Sequence, residues 1–324
     1  MSSLIAVTGA AGFIGSVMIS ALNQAGYENI VAVDDLGSGQ KFKNLRAKSY
    51  RSVISPERFL EALTAKSIKP NIVIHLGAIT DTAESDVDLM LQRNTEYTTR
   101  LARWCLENGS RFVYASSASV YGDGKRGFSD ADSLTPQLMP LNGYGYTKWL
   151  FDAIAIREEW SNHIVGLRFF NVFGPNEYHK GRMASVVWHA YNQIKSTAQL
   201  QLFRSHVPEY ADGGQMRDFV YVKDVVACML WFMHNADVNG IYNLGTGKAR
   251  SFADLAGSVF AAMNVTPEIE FVDTPENIRN AYQYFTEADL SKLRAIGYTA
   301  PFTSLEDATA DYIKQYLTDS NPYC

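Results

Sequence analysis

Short apolar runs recur along the first half of the chain and alternate with segments in which apolar residues return at helical spacing. The apolar runs cover residues 4–7, 30–33, 72–76, 112–115 and 164–167, and the clearest helical segments cover residues 16–26 and 95–108. Short, continuous apolar runs of this kind are typical of strands that are buried on both faces. Their alternation with helices predicts an α/β fold with a doubly wound parallel sheet of the Rossmann type.

The pattern becomes less regular after about residue 175. Helical spacing is clear over residues 183–195, 222–234 and 305–317, and a polar loop covers residues 205–215. We find no internal repeat and no linker rich in Pro, Gly or Ser. The sequence therefore predicts a Rossmann domain over residues 1–175. A smaller, mainly helical region over residues 176–324 would cover the substrate, with the chain expected to cross back to the first domain.

The turn after the first predicted strand is rich in glycine. Residues 8–15 read TGAAGFIG, so that Gly9, Gly12 and Gly15 lie between an apolar run and a helix. Such a turn lets the backbone approach a pyrophosphate, which the free N–H groups at the helix start bind. Asp34 follows Gly15 by 19 positions, close to the spacing of the carboxylate that binds the adenosine ribose in such folds. Together these residues predict a site for NAD(P).

Composition excludes several other classes of protein. The chain has 324 residues, 47% hydrophobic content and a net charge of −5, with its 29 Lys and Arg residues scattered, so we expect no nucleic-acid partner. Three widely spaced cysteines and six histidines without metal-ligand spacing predict neither a disulfide framework nor a metal site. No signal pattern precedes the first strand, and the longest apolar stretch, residues 225–233, is too short for a bilayer. We therefore expect a cytoplasmic protein that has no membrane partner.

A second group of residues indicates proton-transfer chemistry. Tyr144 and Lys148 are four positions apart, which places them on one face of a helix, and Ser117 ends a predicted strand. A lysine ammonium beside a phenol favours the phenolate, so Tyr144 is a candidate general base or acid for a hydroxyl being oxidised. Ser117 is placed to hold the same hydroxyl, because open α/β sheets bind ligands at the carboxyl ends of their strands.

These motifs, with several others, resemble one family along nearly the whole chain. Residues 9–15, 75–78 (HLGA), 116–122 (SSASVYG) and 217–225 (RDFVYVKDV) are similar to the nucleotide-sugar branch of the extended short-chain dehydrogenases/reductases. Within that branch, residues 168–186 (RFFNVFGPNEYHKGRMASV) resemble the ADP-L-glycero-D-manno-heptose 6-epimerases, as do residues 202–203, 242–247 and 282–290.

The resemblance implies a reaction in which a cofactor takes a hydride from the heptose C6 and returns it to the other face of the ketone. It assigns the two bases of this reaction to Tyr144 and Lys180, supported by Ser117 and Lys148. It also implies a homo-oligomer, an ADP-heptose or related nucleotide sugar as substrate, and NADP as cofactor with NAD as the alternative.

The family's binding residues also transfer to this chain. The implied cofactor-binding residues are Gly9, Gly12, Phe13, Ile14, Gly15, Asp34, Asp35, Lys41, Leu76, Gly77, Ala78, Asn94, Lys148 and Val172. The implied substrate-binding residues are Ser117, Asn171, Arg182, His189, Phe203, Arg217 and Tyr282.

The chain departs from the family pattern at three places. Arg182 replaces a small serine, and a cation there suggests an additional phosphate contact or a different sugar substituent. The loop over residues 204–216, which the resemblance places against the nucleotide, is longer than the family's. The sequence therefore leaves open whether the substrate carries adenine or another base. Asp35 adds negative charge where NADP carries its 2′-phosphate, whereas Lys41 is placed to neutralise it.

Three other functions remain open from the sequence. A hexose-nucleotide 4-epimerase has a single tyrosine base and no need of Lys180. A 4,6-dehydratase carries Thr-Asp-Glu where this chain has Ser117-Ala118-Ser119. A non-catalytic NAD(P) sensor would tolerate loss of Tyr144, Lys148 or Ser117, and all three are present.

Overall fold

The computed structural model describes residues 3–82, 84–275, 279 and 283–324. Its strands are β1 Ile5–Thr8, β2 Ile30–Val33, β3 Ser52–Ile54, β4 Ile72–His75, β5 Arg111–Ser117, β6 Val165–Phe169, β7 Asn171–Phe173, β8 Leu200–Phe203, β9 Met216–Arg217, β10 Phe219–Tyr221, β11 Gly240–Leu244, β12 Arg250–Ser251 and β13 Ile269–Val272. Its α-helices are α1 Phe13–Gln24, α2 Pro56–Thr64, α3 Val87–Met90, α4 Tyr97–Asn108, α5 Gly143–Arg157, α6 Val186–Thr197, α7 Val222–His234, α8 Phe252–Met263, α9 Ser291–Ala295 and α10 Leu305–Tyr312. Shorter 3-10 helices cover Lys41–Leu45, Ala118–Tyr121, Asp132–Gln137, Trp160–Asn162 and Tyr178–Met183, and π-helical turns cover Leu91–Glu96 and Ile313–Leu317.

Seven parallel strands form the central sheet, in the order β11-β6-β5-β4-β1-β2-β3. This order and the flanking helices confirm the predicted doubly wound Rossmann sheet. The outermost strand on one side, β11, comes from the second half of the chain and pairs with β6, with Gly240 opposite Val165 and Leu244 opposite Phe169. The chain therefore returns to the first sheet after it has built the first part of the second region.

The two faces of the sheet are filled by separate helices, as the period of a strand requires. Ile5 and Val7 of β1 belong to the core cluster that includes Met18 of α1, whereas Ala6 faces the cluster that includes Phe59 of α2. All five side chains are fully buried. Helices thus cover both faces and leave the carboxyl ends of the strands open for a site.

Most predicted elements lie within two residues of their observed positions, but two helix starts are displaced by three residues. The helix predicted over residues 16–26 begins earlier, at Phe13. The helix predicted over residues 183–195 begins only after Ser185, whose hydroxyl accepts a hydrogen bond from the Trp188 N–H at 3.3 Å. Residues Tyr178–Met183 form a 3-10 helix instead. The Ser185 N-cap therefore sets the start of the helix, although apolar residues at helical spacing continue upstream of it.

The second region is less purely helical than the sequence suggests. Three two-stranded sheets pair β7 with β10, β8 with β13, and β9 with β12. Helices α6, α8 and α10 share the core with these strands. Within the described part of the chain, none of the helices combines the length and the apolar character needed to cross a membrane.

Candidate active site

A cavity of about 980 Å³ opens at the carboxyl ends of the central strands. Its walls come from the glycine turn, the ends of β2, β4, β5 and β6, the start of α5, and the segment from β7 into α6. This position agrees with the rule that open α/β sheets bind ligands where the strand order reverses. The size is suitable for a ligand larger than a single sugar.

The glycines of the turn between β1 and α1 are required by close backbone contacts. A Cβ atom on Gly9, whose φ is +66°, would lie 2.7 Å from the Gly77 nitrogen, and one on Gly15 would lie 2.0 Å from the Gly9 oxygen. Gly12 is the N-cap of α1, which has no side-chain cap. The first turn of α1 therefore presents uncapped N–H groups towards the cavity, as binding of a pyrophosphate requires.

Asp34 ends β2 at the same edge of the sheet. Its buried carboxylate accepts a hydrogen bond from the Ala11 N–H at 2.7 Å and pairs with the Lys41 ammonium at 2.5 Å. Asp35 is exposed, and only its backbone oxygen is near the Lys41 ammonium, at 3.3 Å. These residues fit NAD(P): Asp34 would hold the adenosine ribose, and the turn at Gly12 would hold the pyrophosphate.

Tyr144 and Lys148 lie in the first half of α5 and, with Ser117 at the end of β5, line the cavity. Burial raises the pKa of Tyr144, whereas its hydrogen bond with Ser117 lowers it. The Lys148 ammonium donates to the Ala115 carbonyl at 2.8 Å, and burial lowers the pKa of Lys148 to about 8, with Asp152 opposing this shift. In the chain alone, the hydrogen bond with Ser117 is thus the interaction that favours the Tyr144 phenolate.

A buried ion pair holds α5 against the sheet. Arg168 of β6 donates to the Asp152 carboxylate at 2.9 Å, and both side chains are fully buried. Tyr114 and Ser116 of β5 each donate a further hydrogen bond to Asp152 at 2.9 Å. Because a buried charge is tolerated only when it is paired and fully hydrogen-bonded, this cluster fixes the helix that bears Tyr144 relative to Ser117.

Lys180 enters the cavity from the 3-10 helix Tyr178–Met183. Its ammonium lies 5.7 Å from the centroid of the Phe13 ring, at the start of α1. Burial lowers the pKa of Lys180, and the nearby carboxylate of Glu177 raises it. Desolvation of this kind makes a lysine easier to deprotonate and so favours a role in proton transfer.

Glu177 closes the segment that bears Lys180 into a loop. Its buried carboxylate accepts hydrogen bonds from the Gly174 N–H at 3.3 Å and from the Ser185 N–H and hydroxyl at 2.5 and 2.7 Å. One side chain thus joins the backbone before Lys180 to the backbone after it. The sequence analysis did not single out Glu177, because the partner that reveals its role is eight positions away on the next helix.

The structure brings most of the predicted site residues together in this cavity. Those that line it are Gly9, Gly12, Phe13, Ile14, Gly15, Asp34, Asp35, Lys41, Leu76, Gly77, Ala78, Ser117, Tyr144, Lys148, Asn171, Val172 and Lys180. Those that do not are Asn94, Arg182, His189, Phe203 and Arg217. Tyr282 lies outside the described residues.

The residues outside the cavity wall have other contacts. Asn94 is buried behind the wall, where it exchanges hydrogen bonds with the backbone of Ile79 at 2.8 and 3.0 Å. Arg182 pairs with the Asp81 carboxylate at 2.5 Å. His189 is exposed on α6, and the Arg217 guanidinium lies 5.6 Å over the ring of Phe252, which does line the cavity. Asn94 therefore supports the wall from behind, and Arg217 lies at its edge.

Some lining residues were missed by sequence reasoning. Residues 79–82 follow β4 and the predicted Ala78 directly, so the carboxyl end of that strand could have revealed them. Phe219, Phe252 and Leu255 line the far side of the cavity and come from the second region, where the sequence showed only apolar residues of helix or strand. Among the described residues, no group of three or more His, Cys, Asp and Glu side chains is placed to hold a metal ion.

The Rossmann sheet, the glycine turn and the Ser117, Tyr144 and Lys148 side chains together define an enzyme that acts through a nicotinamide cofactor. Residues 5–245 match the model of the NAD dependent epimerase/dehydratase family, and the chain belongs to this family.

The chain is also similar over its full length to particular members. It is 49% identical over 319 residues to the ADP-L-glycero-D-manno-heptose-6-epimerase of Nitratidesulfovibrio vulgaris (strain DP4), with 98% of this chain and 99% of the relative covered. It is 43% identical over 337 residues to the protein of the same name from Fusobacterium nucleatum, with 99% and 100% covered. A crystal structure of the Helicobacter pylori ADP-L-glycero-D-manno-heptose-6-epimerase superposes with a TM-score of 0.82 at 27% identity, covering 97% of this chain and 96% of that chain. The resemblance inferred from the motifs is thus confirmed.

Proposed function

We propose that the chain interconverts ADP-D-glycero-D-manno-heptose and ADP-L-glycero-D-manno-heptose by oxidation and re-reduction at C6. The observation that carries this proposal is that Tyr144 and Lys180, from two distant elements, line one cavity beside the glycine turn. An epimerase that returns a hydride to either face of a ketone needs a proton donor on each side. The full-length similarity to the heptose epimerases supports the choice of sugar.

Each site residue has a definite role in this scheme. A nicotinamide cofactor held at the glycine turn and Asp34 would supply the hydride acceptor and donor for C6. Tyr144 takes the proton of the C6 hydroxyl in one epimer, with Ser117 holding that hydroxyl. Lys180 then protonates the ketone oxygen when the other face is presented, and the two residues exchange roles in the reverse direction. Lys148 keeps its ammonium against the Ala115 carbonyl, close to the helix turn that bears Tyr144.

We propose NADP as the preferred cofactor, with NAD as the alternative. Lys41 supplies a cation beside Asp34, where the adenosine ribose would lie, and Asp35 opposes it with an exposed negative charge. We expect Lys41→Ala to shift the ratio of NADP to NAD affinities towards NAD, and Asp35→Asn to shift it towards NADP. Titration of the cofactor-free protein with each dinucleotide measures the ratio, and equal ratios in all three proteins would contradict this role.

We propose a cytoplasmic homo-oligomer whose partner is an ADP-heptose or related nucleotide sugar, with no nucleic-acid partner. The 4-epimerase is the principal competing activity, because it shares the glycine turn and the Tyr144/Lys148 pair but requires one base. Lys180 distinguishes the two.

The experiment compares Tyr144→Phe and Lys180→Met with the wild type on ADP-heptose. We expect each variant to lose epimerisation on the order of 100-fold or more while it retains bound cofactor. Tyr146→Phe, an exposed tyrosine on the same helix, and Lys195→Met on α6 serve as matched controls and should keep the wild-type rate.

A second substrate distinguishes the contribution of Tyr144 from that of Lys180. An ADP-sugar with an aldehyde at C6 undergoes dismutation, in which the hydrate of one molecule is oxidised to the acid and a second aldehyde takes the hydride and a proton to give the alcohol. This reaction needs no inversion, so each single variant should retain part of it and the double variant should lose it. Epimerisation by Lys180→Met at the wild-type rate would instead favour the single-base 4-epimerase.

A further inference from the structure

Residues 322–324, which we call the 322–324 segment, lie against the loop that bears Lys180. The Tyr178 hydroxyl donates to the Pro322 carbonyl at 2.6 Å, and the Cys324 N–H donates to the Asn176 side-chain oxygen at 3.1 Å. The rings of Tyr178 and Tyr323 meet edge to face, with centroids 5.5 Å apart. The segment therefore contacts the two residues that precede Lys180 by four and two positions.

Asn176 is the point at which several contacts meet. It is fully buried and has a φ of +75°, an unfavourable conformation for a residue with a side chain. Its amide donates to the Ser16 hydroxyl of α1 at 2.9 Å, and its backbone oxygen accepts from Asn44 at 2.9 Å. Asn44 also donates to the Ala11 carbonyl in the glycine turn at 2.9 Å. The Cys324 contact thus completes a set of hydrogen bonds that holds Asn176 against α1 and the glycine turn.

The other side of the 322–324 segment is also held. The Lys48 ammonium donates to the Cys324 carbonyl, and the Arg46 guanidinium lies 4.9 Å over the Tyr323 ring. Both residues follow the 3-10 helix that begins at Lys41, which pairs with Asp34. The segment is therefore enclosed between the cofactor side of the cavity and the loop that bears Lys180.

The loop has less support beyond Lys180. Gly181 and Arg182 are exposed, and Gly181 has a φ of +53° with no heavy atom within 4 Å of a Cβ placed on it. Arg182 pairs with Asp81 through side chains that are both exposed, and a buried contact holds the loop again where Glu177 binds Ser185. The position of the Lys180 ammonium over Phe13 thus depends largely on the residues before it, Asn176 to Tyr178.

We propose that the 322–324 segment is a positioning element for Lys180, which holds the ammonium at the reacting hydroxyl through Asn176 and Tyr178. The proposal rests on the proposed function, in which Lys180 is one of two bases. It assigns a role in the reaction to three residues that do not touch the cavity. Small displacements of a catalytic group have large effects on rate, so the loss of this support should appear in kcat rather than in KM.

The test uses the full protein with Tyr178→Phe, which removes only the hydroxyl that binds Pro322, and a chain that ends at residue 321. Tyr191→Phe is the matched control, because the Tyr191 hydroxyl donates in the same way to the Leu317 carbonyl at 2.9 Å but does not contact the loop. We expect kcat for epimerisation to fall about tenfold in Tyr178→Phe and about 100-fold in the shortened chain. KM and cofactor content should stay near the wild-type values, and the control should remain within about twofold of the wild-type rate.

The dismutation of the C6 aldehyde distinguishes positioning of Lys180 from a general loss of structure. In the Tyr144→Phe background, where the remaining reaction depends on Lys180, the shortened chain should lose dismutation. In the Lys180→Met background, where it depends on Tyr144, the shortened chain should keep it. Equal losses in both backgrounds, or an unchanged kcat, would overturn the proposal. Normal epimerisation by Lys180→Met alone would instead overturn the proposed function.

Discussion

Buried polar side chains in this protein are placed by partners that are distant in sequence. His75, at the end of β4, lies between the Thr8 hydroxyl at 2.6 Å and the Thr98 hydroxyl at 2.7 Å. It is almost completely buried, and burial lowers its pKa to about 3, with the Lys148 ammonium adding to the effect. Thr8 also accepts hydrogen bonds from the N–H groups of Leu76 and Gly77, so this histidine helps to order the turn that closes on Gly9.

The His75 pKa predicts how stability depends on pH. The folded protein keeps the ring neutral, whereas the unfolded chain takes up a proton below pH 6.5. The free energy of unfolding therefore decreases as the pH falls from about 6.5 towards 3. This one group contributes about 1.4 kcal/mol per pH unit in that window. Urea unfolding between pH 6 and 4 should show a weaker pH dependence in His75→Asn, by about that slope, although the variant is less stable at pH 7. If the free energy of unfolding changed with pH to the same extent in both proteins, this account would be contradicted.

The turn between β1 and α1 is the element that we propose binds the pyrophosphate of the cofactor. Local sequence specifies it, because the three glycines allow a backbone path that brings Gly15 against the Gly9 oxygen and Gly9 against Gly77, just after β4. The lengths of β1, β2 and α7 also follow from the spacing of their apolar residues. The start of α6 does not, since it depends on the capping hydroxyl of Ser185.

A substitution at this turn should remove cofactor binding while the protein still folds. A Cβ on Gly12 would lie 3.0 Å from the Gly9 oxygen, and a branched side chain there would occupy the space at the uncapped start of α1. We expect Gly12→Val to lose bound cofactor, as measured by absorbance of the released dinucleotide.

Gly257→Ala is the matched control for this turn. Gly257 lies inside α8 with no heavy atom within 4 Å of an added Cβ. This variant should keep its cofactor and gain up to about 1 kcal/mol in the free energy of unfolding. Normal cofactor content in Gly12→Val would show that the turn does not approach the pyrophosphate.

At the scale of the whole molecule, the two regions are joined through the sheet. β11 supplies the outermost strand beside β6, and its residues Ile241 and Leu244 are fully buried. A chain that ends at residue 175 would leave β6 as an open edge and expose the core that α7 covers. A division of the chain at residue 175 would therefore cut through both the central sheet and the wall of the cavity.

Because the two regions share one sheet, we predict a single unfolding transition. We expect tryptophan fluorescence and circular dichroism to report coincident urea midpoints for the full chain. A fragment of residues 1–175 should show no cooperative transition, whereas a fragment of residues 1–247, which retains β11, should recover part of it. Two separate transitions in the full chain, or a cooperative fragment 1–175, would contradict the prediction.

The sequence by itself determined the Rossmann sheet, the glycine turn and the pairing of Tyr144 with Lys148 on one helix face. Each depends on spacing over a few residues, where backbone geometry and the hydrophobic period leave little choice. Only the tertiary structure decided that Lys180 lies over Phe13, that Arg182 pairs with Asp81, and that residues 322–324 support Asn176. These contacts join residues 100 or more positions apart. They follow from the order in which strands and helices pack, which local spacing does not encode.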